Sequence, residues 1–351
     1  MISFILKRLI YGSAVMVFVV LIITSIIYLA PVDPTRLTFG QRSDNATVKA
    51  KKKELGLDQP LYVQLALYIN DISPLSFHTI STENQEKYGY FKLIPLGNQA
   101  FVIKSPYLRE SFQSGRKVTE ILRGAIPQTA ILALAAMIIA TILGIILGVV
   151  ASLKPGSWFD TSSIVASVMG YSLPSYIVAM ILALVFGYWF ADWTGLNIQG
   201  SLFELDDFGD EQTVWKNLIL PAIALGIRPV ALIMQLTRSS MLDILTMDYI
   251  RTAKAKGLNH KTVIFKHALR NALNPVTTAI SGWFAGLLAG AFFVESVFSF
   301  NGLGQTTVNA LLNFDIPVVL GCVLFTAFVF VVMNILVDVL YAVLDPRIRL
   351  S

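Results

Sequence analysis

Long uncharged apolar runs constrain this chain more than any other feature of its sequence. Four runs, at residues 9–30, 125–153, 161–191 and 318–337, contain no charged side chain. A helix that rises about 1.5 Å per residue needs roughly 20 residues to cross about 30 Å of hydrocarbon. Each of these runs therefore predicts a transmembrane helix.

Two further apolar runs carry one charged residue each, which brings the predicted number of spans to six. Residues 217–237 contain Arg228, and residues 276–298 contain Glu295. The composition, 55% hydrophobic and 14% charged, excludes an ordinary soluble domain because it supplies too little polar surface. The run at 9–30 is longer than the roughly 7–15 apolar residues of a signal peptide, so we expect a retained anchor.

The distribution of charge between the spans predicts their orientation. The segment 192–215 has six acidic and no basic residues, whereas 241–275 has six basic and two acidic residues. Because short cytoplasmic loops are enriched in Lys and Arg, the second loop and both termini are predicted to be cytoplasmic. The long segment 31–123 can still be external, since long segments are translocated largely regardless of charge.

These observations predict four regions along the chain. They are an N-terminal transmembrane helix at 1–30, an external segment at 31–123, a core of helices at 124–345 and a cytoplasmic tail at 346–351. The external segment opens with a predicted amphipathic helix and contains an insertion at 73–105, rich in Pro, Gly, Asn and aromatic residues, for which strands are expected. His78 lies alone there, which favours a surface or locally bonded histidine over a metal ligand.

The polar loop at 241–275 lies between two apolar runs. Its first part predicts a helix that continues inward from the fourth span, with Gly257 as its C-terminal stop and Asn259 as the N-cap of a second helix. In that second helix Val263, Ile264 and His267 share a face, which predicts a knob that enters a groove on a partner.

Several residues inside the predicted spans suggest further roles. Arg228 lies about 18 Å from the outer end of its helix, near mid-membrane, where it either lines a polar pathway or pairs with Glu295 or Asp338. Glu295 itself is expected at the membrane interface. The GxxxG pairs at Gly144 and Gly148, and at Gly282, Gly286 and Gly290, predict helix packing inside one bundle, with a seam between subunits as the alternative. Kinks or local unwinding are predicted at three prolines: Pro174, Pro221 and Pro229.

No nucleotide-hydrolysis motif accompanies these spans. The sequence contains no GxxxxGK[ST], HExxH, CxxC or GxSxG pattern, so this chain is not expected to be an enzyme. An active transporter built on it would need an external source of energy.

The polar loop is similar to a known family. YIRTAKAKGLNHKTVIFKHALRNALNPV resembles the coupling loop of ABC-importer permeases of the dipeptide, oligopeptide and nickel branch. Further matches to this branch follow in order along the chain: LAPVDP, LGLDQPLYVQ, IPQTAILALAA, YSLPSYIVA, LILPAIAL, LLAGAFFVESVFSFNGLG and NILVDVLYAVLDPRIRL.

The loop departs from the general pattern of such importers, which is EAA, three residues, Gly, nine residues and I-x-L-P. Arg251, Thr252 and Ala253 stand at EAA, Gly257 at the Gly, and His267, Leu269 and Arg270 at I, L and P. The first charge is inverted, so the resemblance does not imply a salt bridge from Arg251 to an ATPase. The insertion at 73–105 is longer than in the branch.

The resemblance implies an all-α integral membrane protein with six transmembrane helices in the type I ABC-importer permease fold. Its implied partners are a second homologous permease, two cytoplasmic ATPases, an external solute-binding protein and the lipid bilayer, without nucleic acid. The chain would bind no metal or other cofactor, and ATP would be used by the partner subunits. The implied location is the bacterial inner membrane, with both termini cytoplasmic.

The candidate residues fall into two sites. The translocation pathway takes Arg228, Gly282, Gly286 and Gly290 as candidates. The expected solutes are short peptides, with nickel or another small solute as the alternative, and an ion-coupled secondary transporter is the alternative from a different class. The ATPase-coupling loop takes Arg251, Thr252, Ala253, Gly257, Leu258, Asn259, His260, Val263, Ile264, His267 and Leu269.

Overall fold

A computed structural model describes residues 2–29, 58–206, 208–289 and 291–344. Helices dominate these residues, and strands occur only in two short segments of the described chain. The α-helices are α1 (Ile2–Leu29), α2 (Leu61–Ile72), α3 (Thr82–Tyr88), α4 (Val118–Leu153), α5 (Trp158–Ser172), α6 (Ser175–Leu182), α7 (Ala191–Thr194), α8 (Lys216–Leu245), α9 (Asp248–Ala255), α10 (His260–Thr262), α11 (Arg270–Ala289), α12 (Phe292–Val297), α13 (Leu303–Leu312) and α14 (Ile316–Leu344). Two π-helical segments, Ala183–Trp189 and Val263–Leu269, continue α6 and α10.

Three helices are long and apolar enough to cross a membrane: α4, α8 and residues Ile316–Val339 of α14. A fourth span is possible if α5 and Ser175–Trp189 are counted together. The described apolar part of α1, Ile10–Ile23, falls short of that length. Six spans therefore stay a prediction.

The predicted third span is divided into two helices. Its two halves, Trp158–Ser172 and Ser175–Trp189, meet at an angle of 105°. Leu173 between them is extended, with φ −74° and ψ 132°, as expected for the residue before a proline. The kink predicted at Pro174 is thus confirmed as a sharp bend.

Two other predictions about the spans also need correction. The predicted fifth span at 276–298 is not one helix, because α11 ends at Ala289 and α12 begins at Phe292. In contrast, α8 continues unbroken through Pro221 and Pro229, so neither proline unwinds it. Both prolines are buried within the helix packing.

The chain forms two compact units. The first consists mainly of Ile126–Gln305, and the second consists of Leu6–Ala125 with Thr306–Phe328. In the first unit, an apolar core gathers side chains from α4, α6, α8, α11 and α12, including Leu132, Ala136, Leu220, Ile233 and Phe298.

Close approach between α4 and α8 depends on two glycines. A Cβ at Gly144 would lie 2.7 Å from Cγ2 of Ile233, and one at Gly148 would lie 2.6 Å from Cβ of Thr237. Any side chain would force the two helices apart. Packing inside one bundle is therefore confirmed for this GxxxG pair.

A buried ion pair links α5 to α8 in the same unit. The guanidinium of Arg238 donates through Nε and Nη2 to both carboxylate oxygens of Asp160. Asp160 also accepts a hydrogen bond of 2.8 Å from the backbone N–H of Gly156. The turn that joins α4 to α5 is thereby attached to α8.

The second unit contains three strands, which confirms strands in the insertion: β1 (Leu75–Thr79), β2 (Phe91–Leu96) and β3 (Gln99–Ile103). They form an antiparallel sheet in the order β1-β3-β2, with β3 in the centre. Ile103 of β3 pairs with Leu75 of β1 on one side and with Phe91 of β2 on the other. The amphipathic helix predicted before Gly56 lies outside the described residues, whereas the helix that follows is α2.

His78 lies on the buried side of this sheet. Its ring stacks on Tyr88, with 4.2 Å between ring centroids, and lies 6.0 Å from Tyr90. Asp71 holds the same region together by accepting hydrogen bonds from Tyr88 Oη and Arg109 Nε, at 2.9 and 2.8 Å. His78 is thus a stacked, buried residue rather than a surface one.

A separate two-stranded hairpin in the first unit follows the π-helical end of the third predicted span. It pairs β4 (Phe203–Leu205) with β5 (Glu211–Thr213) and carries much of the acidic charge predicted to be external. Phe208 at its tip is 92% exposed.

Candidate functional site

The polar loop is built from short helices that return to the helices on either side of it. After α8 ends, α9 runs over Asp248–Ala255, and α10 with its π-helical continuation leads directly into α11. The helix predicted from residue 243 to residue 256 is therefore divided, because α8 stops at Leu245 and a separate helix begins at Asp248.

Two residues set the bend between α9 and α10 as predicted. Gly257 has φ +74°, a left-handed conformation that costs other residues strain, and its N–H donates to Lys254 O at 3.0 Å. Asn259 then caps α10 by accepting a hydrogen bond of 3.2 Å from Lys261 N. The C-terminal stop and the N-cap are both confirmed.

A set of buried apolar residues, here called the loop cluster, attaches the loop to the helices around it. Its members come from α4, α8, α9, the π-helical segment and α11: Val149, Met241, Ile250, Ala253, Val263, Ile264, Ala268 and Ala272. Since interiors are close-packed, displacement of the loop is transmitted to the helices that it contacts.

The docking face predicted for the loop is wrong in its apolar members. Val263 and Ile264 are only 1% and 4% exposed and belong to the loop cluster, so they cannot enter a groove on a partner. His267 is half-buried on the same segment. Helical spacing identified a common face correctly, but α4, α8 and α9 of the same chain cover it.

The surface that the loop exposes is different and includes a residue that the sequence analysis missed. Phe265 is 61% exposed and Leu258 is 41% exposed. His260, Lys261 and Lys266 are exposed beside them along the chain. We call these five residues the outer loop surface. The signal for Phe265 was available, since it is the bulky residue one position beyond the buried pair.

Of the remaining residues predicted for the ATPase-coupling loop, some are exposed and others belong to the loop cluster or pack against it. Arg251 and Thr252 are exposed, Ala253 is buried in the loop cluster, and Leu269 packs against that cluster. The ion pair of Arg251 with Asp248, at 3.4 Å, is almost fully exposed and contributes little to stability. A firmer link is the hydrogen bond of 2.9 Å from Asn271 Nδ2 to Tyr249 Oη, which joins α11 to α9.

Glu295 is completely buried within the protein, while the interfacial depth expected for it stays a prediction. Oε2 accepts hydrogen bonds from the N–H groups of Gly304 and Gln305, at 2.8 and 3.1 Å. Oε1 accepts one of 2.7 Å from Thr129 Oγ1, which in turn accepts from Leu303 N. The carboxylate therefore caps the N-terminus of α13, where backbone N–H groups favour negative charge.

Arg228 lies near the middle of α8 and does not pair with Glu295. Its guanidinium carbon lies 5.3 Å from the ring centroid of Tyr171 on α5, in a cation–π contact. Its Nε atom is buried and has no hydrogen-bond partner among the residues that the structure describes.

The glycines proposed for the pathway differ from those between α4 and α8. Among the described residues, a Cβ at Gly282 or Gly286 would meet nothing within 4 Å, so the structure shows no packing inside the bundle at these two exposed positions. Gly290 lies outside the described residues. The structure does not bring Arg228 and the glycines together in a described contact.

Comparisons with known proteins match this chain along nearly its whole length. Residues 140–350 match the family described as binding-protein-dependent transport system inner membrane component. Residues 1–133 match the N-terminal family of binding-protein-dependent transport system membrane components.

Individual relatives are similar over entire chains. The dipeptide transport system permease protein DppB of Escherichia coli K12 is 35% identical, with 99% of each chain covered. The di/tripeptide permease protein DppB of Pseudomonas aeruginosa is also 35% identical over 99% of each chain. The dipeptide permease protein DppB of Alkalihalophilus pseudofirmus is 32% identical, covering 99% of this chain and all of the relative.

A solved structure of the MetNI methionine ABC transporter in an inward-facing conformation is similar at 16% identity and a TM-score of 0.49, covering 65% of this chain and 98% of that one. With the matches at 140–350 and 1–133, the chain belongs to the family of binding-protein-dependent transport system inner membrane components.

Proposed function

We propose that this chain is the permease subunit of an ATP-driven importer of short peptides. The observation that carries the proposal is full-length similarity, at 32–35% identity, to permease proteins named for dipeptide and di/tripeptide transport. Nickel or another small solute is the alternative within the family. The chain has no phosphate-binding loop sequence, so the energy would come from ATPase partners.

The proposed assembly pairs this chain with a second permease, two ATPases and an external solute-binding protein. Six spans with both termini cytoplasmic would place the polar loop on the ATPase side, in agreement with its six basic residues. The acidic hairpin β4–β5 would then face the binding protein's side of the membrane.

In this proposal the outer loop surface contacts an ATPase. An exposed Phe and an exposed Leu beside three potentially cationic side chains suit a groove that is apolar at its centre and acidic at its rim. Arg251 and Thr252 on α9 border this surface and extend the same contact.

Force would then pass inward through the loop cluster. An ATPase that pushes on Phe265 moves the π-helical segment, whose buried side holds Val263 and Ile264 against Val149 and Met241. Because α8 enters the loop and α11 leaves it, the push would tilt these two helices and change access to the pathway. Gly257 sets the direction in which the second half of the loop is presented.

A pair of phenylalanine substitutions tests this proposal. Phe265→Asp should abolish retention of the ATPase during purification and ATP-dependent peptide uptake, because it places a carboxylate at the centre of the contact. Phe208→Asp is the matched control, since it makes the same change at an exposed residue of the β4–β5 hairpin.

The outcomes separate the competing functions. Uptake that persists in Phe265→Asp would reject the proposed contact. If the wild-type complex never retains an ATPase and its uptake follows an ion gradient, the importer proposal fails and the secondary-transporter alternative replaces it.

A further inference from the structure

Arg228 is a charged group in the middle of an apolar helix without an anion beside it. Its only described interaction is the contact with the Tyr171 ring at 5.3 Å, and within residues 2–29, 58–206, 208–289 and 291–344 it has no described hydrogen bond or ion pair. A charged side chain within a membrane-spanning helix is costly and usually has a function.

Two buried carboxylates of this unit have their oxygens used elsewhere. Glu295 caps α13 with both of its oxygens, and Asp160 accepts two hydrogen bonds from Arg238. Each of these acids is almost completely buried in its own network. An anion for Arg228 therefore has to come from outside these contacts.

Space for such an anion exists between the same helices. A cavity of about 330 Å³ lies among α4, α5 and α8, and its lining includes Ser162, Ser163, Ser167, Gly170, Ile227 and Val230. Gly170 and Ile227 of this lining precede Tyr171 and Arg228 in the sequence, so the cavity and the stacked pair occupy the same stretch of α5 and α8, although neither Tyr171 nor Arg228 is itself among the described lining residues. The serine hydroxyls offer hydrogen-bonding groups in an otherwise apolar lining.

The geometry of the stacked pair leaves the guanidinium ready to bind. In this cation–π contact the positive charge of Arg228 is attracted to the face of the Tyr171 ring, and none of the guanidinium N–H groups is used as a hydrogen-bond donor. The planar fork of donors matches the two oxygens of a carboxylate. Tyr171 thus restrains Arg228 while leaving its hydrogen bonds available.

We propose that Arg228, supported by Tyr171, binds the C-terminal carboxylate of a peptide during its passage through the permease. This proposal rests on the proposed function and identifies the part of the substrate that the chain contacts. Every peptide with a free C-terminus carries this group, so one arginine can serve peptides of different sequence. The contact has to be transient, since a pathway site must also release its solute.

The test compares Ala-Ala with its C-terminal amide in the complete complex, reconstituted in lipid vesicles with its binding protein and ATPases. The measured quantity is the ratio of acid to amide uptake per assembled complex. Preference exerted by the binding protein is common to all permease variants, so it cancels when the ratio of a variant is divided by that of the wild type.

Arg228→Met should reduce this ratio about tenfold or more, because a charge-assisted, two-point contact is lost. Arg228→Lys should reduce it by a smaller factor, since the charge remains without the fork. Tyr171→Phe should leave the ratio unchanged because it retains the ring face, whereas Tyr171→Leu should lower it.

Two results would overturn the proposal. One is an unchanged ratio in Arg228→Met complexes that assemble normally. The other is failure of Arg228→Met to assemble, together with an unchanged ratio in Arg228→Lys, which would assign Arg228 to a carboxylate of the partner permease. Absence of ATP-dependent uptake of either peptide by the wild type would instead reject the proposed function itself.

Discussion

Two single residues, Gly257 and His78, matter through backbone conformation and through burial, respectively, more than through the contacts of their side chains. Gly257 is required for its backbone, since its φ of +74° is left-handed and a Cβ there would touch nothing within 4 Å. His78 is governed by desolvation, which with the charges of Lys104 and Lys87 holds its pKa below the ordinary value despite Asp71. Neither effect is visible in a list of contacts.

Gly257→Ala should destabilise the loop by about 1–2 kcal/mol, the cost of a left-handed conformation with a Cβ. Gly124→Ala is the matched control, because Gly124 also has open space around a Cβ but lies inside α4. That change should be neutral or stabilising by about 0.5–1 kcal/mol. Thermal unfolding of the two variants checks this, and equal midpoints would contradict the backbone argument.

His78 should make the β1–β3 sheet unstable in acid. Its lowered pKa means that the unfolded chain binds a proton first as pH falls below about 6.5, so the free energy of unfolding decreases there. Proteolysis of β1–β3 measured between pH 7 and pH 5 should accelerate in the wild type and less so in His78→Phe. The exposed His260, changed to Phe, should leave the acid sensitivity as it is in the wild type.

Helices in this protein are joined by buried polar groups as well as by apolar packing. Glu295 connects α12 to the N-terminus of α13 and to Thr129 of α4. Asp160 and Arg238 connect α5 to α8. Gly302 permits the links made by Glu295, because a Cβ at this position would collide with the side chains of both Glu295 and Thr129.

Glu295→Ala should cost about 3 kcal/mol or more, since it leaves two buried N–H groups without an acceptor. Glu295→Gln should cost less, because the amide oxygen can still accept from both groups. The difference in thermal midpoint between the two variants measures the cap. Equal losses would mean that the negative charge, rather than the hydrogen bonds, is what α13 needs.

Arg238→Met should cost about 3 kcal/mol, because it leaves Asp160 buried without its cation. The double variant Arg238→Met with Asp160→Asn should recover much of this loss. Arg251→Met, which removes the exposed pair with Asp248, serves as the control and should change stability by less than about 0.5 kcal/mol. A loss of similar size in both single variants would contradict the assignment.

At the scale of the whole molecule, the outer loop surface and the acidic hairpin belong to loops that are predicted to lie on opposite sides of the membrane. Their exposed phenylalanines, Phe265 and Phe208, provide matched positions for testing this topology. The single cysteine of the chain, Cys322, is buried, which simplifies labelling.

In a Cys322→Ala background, Phe208→Cys should react with an impermeant maleimide added to intact cells stripped of any outer layer. Phe265→Cys should react only after the membrane is opened. Labelling of Phe265→Cys alone would reverse the predicted orientation of the six spans, and labelling of both would contradict the prediction that the two loops lie on opposite sides.

Local signals in the sequence predicted local structure well. Long apolar runs identified α4, α8 and α14, because the length needed to cross hydrocarbon is set by helix geometry alone. The roles of Gly257 and Asn259 were equally readable, since each acts on backbone groups within a few residues. Pro174 marked the bend of the third predicted span, although its angle of 105° depends on the packing of both halves.

The site was only partly predictable, because burial depends on which neighbour covers a face. Val263 and Ile264 were expected to contact a partner and instead pack on their own chain, which leaves the outer surface to Phe265 and Leu258. The buried cap that Glu295 forms on α13 was not predicted. In each case the type and spacing of the residues indicated which kind of contact the side chain could make, but not which neighbour it contacts.

The sequence by itself determined that this chain crosses a membrane, which family it resembles and where its loop bends, since those properties depend on composition and short-range geometry. Only the tertiary structure decided between two identical GxxxG patterns. Gly144 and Gly148 admit α8, whereas Gly282 and Gly286 face no neighbour within 4 Å. The physical reason is that a small-residue face permits close approach, but only the packed chain determines whether another helix occupies that space.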